Sequence, residues 1–297
     1  MVQSFVASSN NPTTKGRSRT MAKTTKTEKQ TLHLETVKVG AIHLYMIGGV
    51  PGRHGSELVL NRMSEKAKFQ LLAPGARKNE AERRAILKHE VYEEFRAAAY
   101  HPNADEDTYL GIPAPAFKGV LATAALDTPG ATKAQIGRLT WVVGPKDKRI
   151  VGVYGIPKLF MQVVRSSGIN KAPDIRTRPI LPEWAAHIIV NFQMPLLDAD
   201  IITTLSVNGG FFCGVGDGRQ EKGKLSFGQY ELVPPTDADY KRIVKEGNKK
   251  AQIAAMADPQ PFDEETDRLL AMWKAMKEKK SAGKATTTTT SLPAEAA

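Results

Sequence analysis

A single cysteine, Cys213, stands in 297 residues. That excludes an intrachain disulfide and fits a reducing compartment, so a cytoplasmic protein is expected. Paired thiols and pairs of histidines at metal-ligand spacing are both missing, and neither a metal nor a cofactor is expected. No run of about eighteen apolar residues occurs, which argues against a membrane span. The first residues also lack the continuous apolar stretch of a secretory signal. Aromatic residues make up only 7% of the chain, so recognition of a ligand would lean on charge more than on stacking.

What the chain has in excess is positive charge, a net +11. Within residues 1–30, Lys15, Arg17, Arg19, Lys23, Lys26 and Lys29 face only Glu28, so this tail supplies +5. Basic tails of this kind bind polyanions without specificity. Elsewhere the excess is mild, and its position matters more than its sum. Residues 1–30 are rich in Ser, Thr, Asn and Lys, while 281–297 carry consecutive threonines from Thr286; both are expected to be disordered. Met21 is a second candidate start.

Between the tails, strand and helix patterns alternate. This predicts an α+β core over 31–235 and charged helices over 236–280. Leu32 to Ile47 reads as a strand or a bent pair of strands, rich in β-branched and aromatic residues. Asn79, with Glu82 three residues on, opens a helix whose Leu87, Val91 and Phe95 share one face. Phe117 to Leu126 is a second helix, introduced by prolines. Trp184 to Gln193 is the cleanest strand, with Ile188, Val190 and Phe192 on one side. Asp198 caps a helix that Asn208-Gly209-Gly210 should stop, and Phe227 to Val233 returns as a strand. Strand, helix, glycine-rich turn and strand form half of a ferredoxin-like unit. The strand near 34–47 and the helix at 117–126 supply the other half around an insertion at about 48–110.

Two segments carry chemistry. From Cys213 to Gly228 the chain interleaves Gly214, Gly216, Gly218, Gly223 and Gly228 with Arg219, Lys222 and Lys224. Glycine lets a backbone approach a ligand and expose its N–H groups, and the basic side chains supply charge for phosphate. A solvated turn accounts for the same residues equally well. Ile112-Pro113-Ala114-Pro115-Ala116-Phe117-Lys118 adds a proline-led helix start, where free N–H groups, the helix dipole and a cation coincide. The two segments are expected to meet as a cationic cradle. Gly218 to Lys224 also matches part of a nucleotide-binding P-loop. Leu225, however, occupies the place of the Mg²⁺-ligating hydroxyl, and a strand follows where a helix is needed.

Together these segments resemble the RAMP superfamily, which includes the RNA-binding backbone subunits of CRISPR effector complexes. That family opens its first helix with an Ile-Pro-Gly-Ser-Ser-Leu-Lys-Gly signature, matched here by Ile112, Pro113, Lys118, Gly119 and Leu121. Ala114, Pro115, Ala116 and Phe117 depart from it. The family's glycine-rich loop before the last core strand is similar to Gly214 through Phe227-Gly228. The resemblance implies a ferredoxin-like (RRM-related) core with a large insertion between first strand and first helix. It also implies single-stranded RNA or DNA bound across the sheet and loops, by a homo-oligomer or filament of side-by-side copies without catalysis.

Along such a path Lys118, Lys133, Arg138, Arg165, Arg176, Arg178, Arg219, Lys222 and Lys224 would contact phosphates. The run 171–179, cationic and with little to pack, reads as a binding loop. Tyr154, Phe160, Trp184 and Phe227 are the stacking candidates. Two alternatives stay open. One is an endoribonuclease using His54 as base beside Arg53. The other is an assembly protein docking through the C-terminal helices, with Leu269, Leu270, Met272, Trp273 and Met276.

Overall fold

Two long antiparallel strands form the spine of the molecule. In the computed structural model, which describes residues 38–62, 89–102, 104–165, 173–222 and 225–288, β1 (Lys38–Gly48) pairs with β8 (Trp184–Met194) along its whole length. β9 (Glu231–Val233) flanks β1, while β4 (Thr140–Val143) and β5 (Ile150–Tyr154) share the other edge of β8. β3 (Gly111–Pro113) pairs with β5. A second sheet has the order β2 (Leu58–Val59), β7 (Pro173–Leu181), β6 (Lys158–Arg165). The protein is therefore α+β with antiparallel sheets, and seven α-helices occur among the described residues.

Alternation explains the spine. Leu44 and Met46 of β1 pair with Ile188 and Ala186 of β8, all buried on the face that α2 (Ala114–Ala124) and α4 (Ala199–Phe212) cover. Pro113 and Pro115 open α2, and the Asp198 carboxylate caps α4 by accepting from the Ile201 N–H. Between them, α3 (Lys133–Leu139) starts at a Thr132–Gln135 capping box. On the opposite face α5 (Ala238–Glu246) seats Ile243 and Tyr240 against Ile47, Ala185 and Tyr45, covering only the β9 end. The rest of that face, with Val39, Ala41, His43 and Trp141, is open.

Several expectations need correction. Gly209-Gly210 does not stop α4, which runs through to Phe212. A Cβ on Gly209 would sit 2.6 Å from Val120 Cγ1, and one on Gly210 2.4 Å from the Tyr230 carbonyl oxygen. The glycines let α4 press onto α2 and the chain before β9. Gly210→Ala makes this testable, because helix propensity alone would stabilise the protein by about 1 kcal/mol. The backbone clash should instead lower stability by about 1–3 kcal/mol, read as a lower melting temperature.

The run 173–179 is strand β7 rather than a loop, because it pairs residue for residue with β6; residues 171–172 lie outside the described residues. The last strand is short: Phe227-Gly228 is a turn, and only Glu231–Val233 pairs with β1. The helix expected from Asn79 does not run on through Val91: His89 and Glu90 are non-helical, and α1 (Val91–Ala97) starts afresh there, with Val91 and Phe95 buried as expected; residues 79–88 lie outside the described residues. The chain after Pro235 forms three helices, α5, α6 (Lys249–Ala257) and α7 (Glu264–Thr288). They pack on the same core. Gln252 of α6, fully buried, accepts from the Tyr109 and Leu110 N–H groups and donates to the Val153 and Gly155 carbonyls. Leu270 and Trp273 of α7 join the main hydrophobic cluster. No helix among the described residues is long and apolar enough to cross a membrane.

Candidate functional site

The proline-led helix start and the glycine-rich loop lie at the same end of the helix pair. Val120 of α2 touches Gly209 of α4, while Gly130, beyond the other end of α2, lies against Ile201 in the first turn of α4. The helices are thus antiparallel, so the start of α2 and the end of α4 share one end. The loop follows α4 directly.

That loop is laced to the segment before and within β2. The Gly228 N–H donates to the Glu57 carbonyl at 2.7 Å, and the Asp217 N–H to the Val59 carbonyl at 2.9 Å. Ser56 Oγ donates to the Ser226 carbonyl and accepts from the Gln229 N–H. Gly214, Gly216, Gly218 and Gly228 all have positive φ, a region open to glycine and strained for other residues. A Cβ at Gly214 would meet the Phe227 carbonyl oxygen at 2.9 Å, one at Gly216 the Val59 carbonyl oxygen at 2.7 Å, and one at Gly228 the Val215 carbonyl oxygen at 1.7 Å. These glycines were expected to bring backbone N–H groups to phosphate. Instead they let the chain close on itself, and the N–H groups of Gly214 and Gly228 are already bonded to Gly209 and Glu57. Gly223 and Lys224 lie outside the described residues, and Lys222 closes a 3-10 turn, Gln220–Lys222.

Arg178 was expected to contact phosphate and does something else. Its side chain is 4% exposed, ion-paired to Asp217 at 2.5 Å and bonded to Gln162 at 2.6 Å. Asn61 donates to the same Asp217 oxygen at 2.7 Å. Burial opposes the Asp217 charge, but the Arg178 guanidinium and the bonds from Arg178, Asn61 and the Gly218 N–H hold its carboxyl below the usual range. Burial also lowers the Arg178 pKa, partly offset by Asp217, and a guanidinium so paired stays charged. The residue pins the loop to β7; sequence patterning gives no sign of that partner.

Among the described residues, Lys118, Lys133, Arg138, Arg165, Arg176 and Arg219 have no carboxylate partner. The fold brings only some of them together. Arg176 lies on the same face of β7 as Arg178, which touches the loop carrying half-buried Arg219, and Lys118 lies just over one turn into α2. Arg165 lies opposite Pro173, which puts it on the other face of the hairpin. Lys133, three residues beyond Gly130, stands at the far end of the helix pair. Arg138 turns its Nε back to the Ala134 carbonyl.

Of the four stacking candidates, Trp184 and Phe160 are buried and Tyr154 and Phe227 are half-buried against other side chains. Trp184 is fully buried, Phe160 is wedged between Phe227 and Phe262, and Tyr154 packs in the cluster under α5. Sequence reading missed Trp141, 44% exposed, which lies beside Asn191 on the open sheet face. His54 stacks on Phe211 at 4.3 Å with its Nε2 buried and unbonded. Its expected helper Arg53 is held by Glu231, Asp237 and Asp239. Cys213 is buried as expected, and burial pushes its thiol up to about 11.

Compared with family models and with curated proteins, the chain matches none, so the site has to be read from its own residues.

Proposed function

We propose that this protein is a non-catalytic, cytoplasmic binder of single-stranded RNA or DNA, distantly related to the RAMP superfamily. The observation that carries this reading is the shared end of α2 and α4, toward which the first turns of α2, with Lys118, and the loop with Arg219 both lie; neither cation has a carboxylate partner among the described residues. Arg176 extends the basic path onto the β6–β7 hairpin. The strand order β9–β1–β8–β4, antiparallel throughout and with α2 and α4 on one face, supports a ferredoxin-like (RRM-related) core. The segment between β1 and α2 fits the expected insertion. Phosphates would be met by side chains, since the loop's glycines serve its own closure. Trp141 and Asn191 offer a base a stacking surface and an amide on the open sheet. Side-by-side copies are supported by Val207 and Phe211, 49% and 61% exposed one turn apart on α4.

Fluorescence anisotropy with labelled single-stranded RNA and DNA over a salt series tests the path. Each phosphate contact contributes about 0.7 to the slope of log K against log salt. Replacing Lys118, Arg176 and Arg219 together by alanine should flatten the slope by about 2 and weaken binding at low salt. The same slope and affinity in the triple variant would remove the path, and wild-type protein that ignores both oligonucleotides in dilute buffer would remove the function.

A further inference from the structure

The open part of the main sheet holds two imidazoles that stand 144 residues apart in the chain. His43 is opposite Ile189 and His187 is opposite Tyr45, so the two histidines are diagonal neighbours on one face of β1 and β8. His43 Nδ1 and His187 Nε2 are 3.1 Å apart. The His187 ring stacks on Tyr45 at 4.2 Å and 14°, and Tyr240 of α5 meets Tyr45 edge-on at 5.4 Å. One imidazole is thereby fixed in orientation. The other, His43, is exposed and reachable.

A neutral imidazole carries one N–H and one lone pair. With two rings facing nitrogen to nitrogen, a hydrogen bond uses one lone pair; a shared cation uses both. Two nitrogens bound at 2.0–2.1 Å to one ion, at angles between square and tetrahedral, stand about 2.8–3.4 Å apart. The observed separation falls inside that range.

We propose that His43 and His187 form a two-nitrogen site for a first-row divalent cation of the Zn²⁺, Ni²⁺ or Cu²⁺ kind. Imidazole pairs suit these ions, whereas Mg²⁺ and Ca²⁺ require oxygen ligands. Among the described residues no third histidine, cysteine or carboxylate converges here, so water completes the coordination. Such an ion is exchangeable rather than structural, and the site stands independently of any nucleic acid.

Isothermal titration of the full chain with Zn²⁺ tests it, with Mg²⁺ as the control. About one equivalent of Zn²⁺ should bind, with no heat from Mg²⁺. His43→Gln and, separately, His187→Phe should each weaken that binding by about tenfold or more. The phenylalanine keeps an aromatic ring on Tyr45, and His43→Gln alters only an exposed side chain, so at least one variant will fold. The Cu²⁺ electron paramagnetic resonance spectrum should show two coupled nitrogens in the wild type and fewer in each variant. Unchanged Zn²⁺ affinity in a folded variant, or a wild type that takes up no Zn²⁺, overturns the proposal.

Discussion

Gly228→Ala should be among the most damaging single changes in this protein, lowering stability by about 3–5 kcal/mol in urea denaturation. Two effects add. The residue has φ +75°, where a side chain is strained by about 1–2 kcal/mol. A Cβ would also stand 1.7 Å from the Val215 carbonyl oxygen, and that oxygen belongs to backbone that cannot swing aside. Gly52→Ala separates the effects, since Gly52 has φ +78° but nothing within 4 Å of an added Cβ. It should lose only the strain. If both variants unfold at the same urea concentration, the packing half of the argument fails.

The second large effect lies at the loop's anchor. Arg178→Met leaves the Asp217 carboxylate half-buried with Asn61 and one N–H as partners, a loss of about 3–5 kcal/mol for a broken buried pair. The matching pH dependence has a definite sign. Asp217 titrates below its unfolded value of about 3.9, so its contribution is complete above that pH and disappears as pH falls through the lower, folded value. Denaturation midpoints of the wild type should therefore drop as the pH falls below about 4. Asp217→Asn should flatten part of that drop while leaving the part from Asp237, which Arg53 holds low in the same way. A variant whose acid limb superimposes on the wild type would mean that Asp217 is not coupled to folding.

Local chemistry made much of the frame legible in the sequence. The alternation of Ile188, Val190 and Phe192, the Asp198 cap and the prolines before Phe117 each act within a few residues. What stayed hidden depends on distant partners. Arg176 and Arg178 break the apolar alternation of β7, so a paired strand reads as a binding loop. The glycines of the loop signalled left-handed backbone, but composition does not say whether a ligand or the chain itself fills the space beside them. His43 and His187 carry no local sign of each other, because only the β1–β8 register brings them together.

The lacing of the loop to residues 56–61 couples two regions far apart in the chain. Val59, Glu57 and Asn61 lie between β1 and α2, yet their carbonyls and amide hold Asp217 and Gly228 in place. Neither region is an interchangeable cassette. A graft that replaced the segment between β1 and α2 by a shorter crossover would leave the turn behind α4 without its template, so the two have to be redesigned or inherited as a unit.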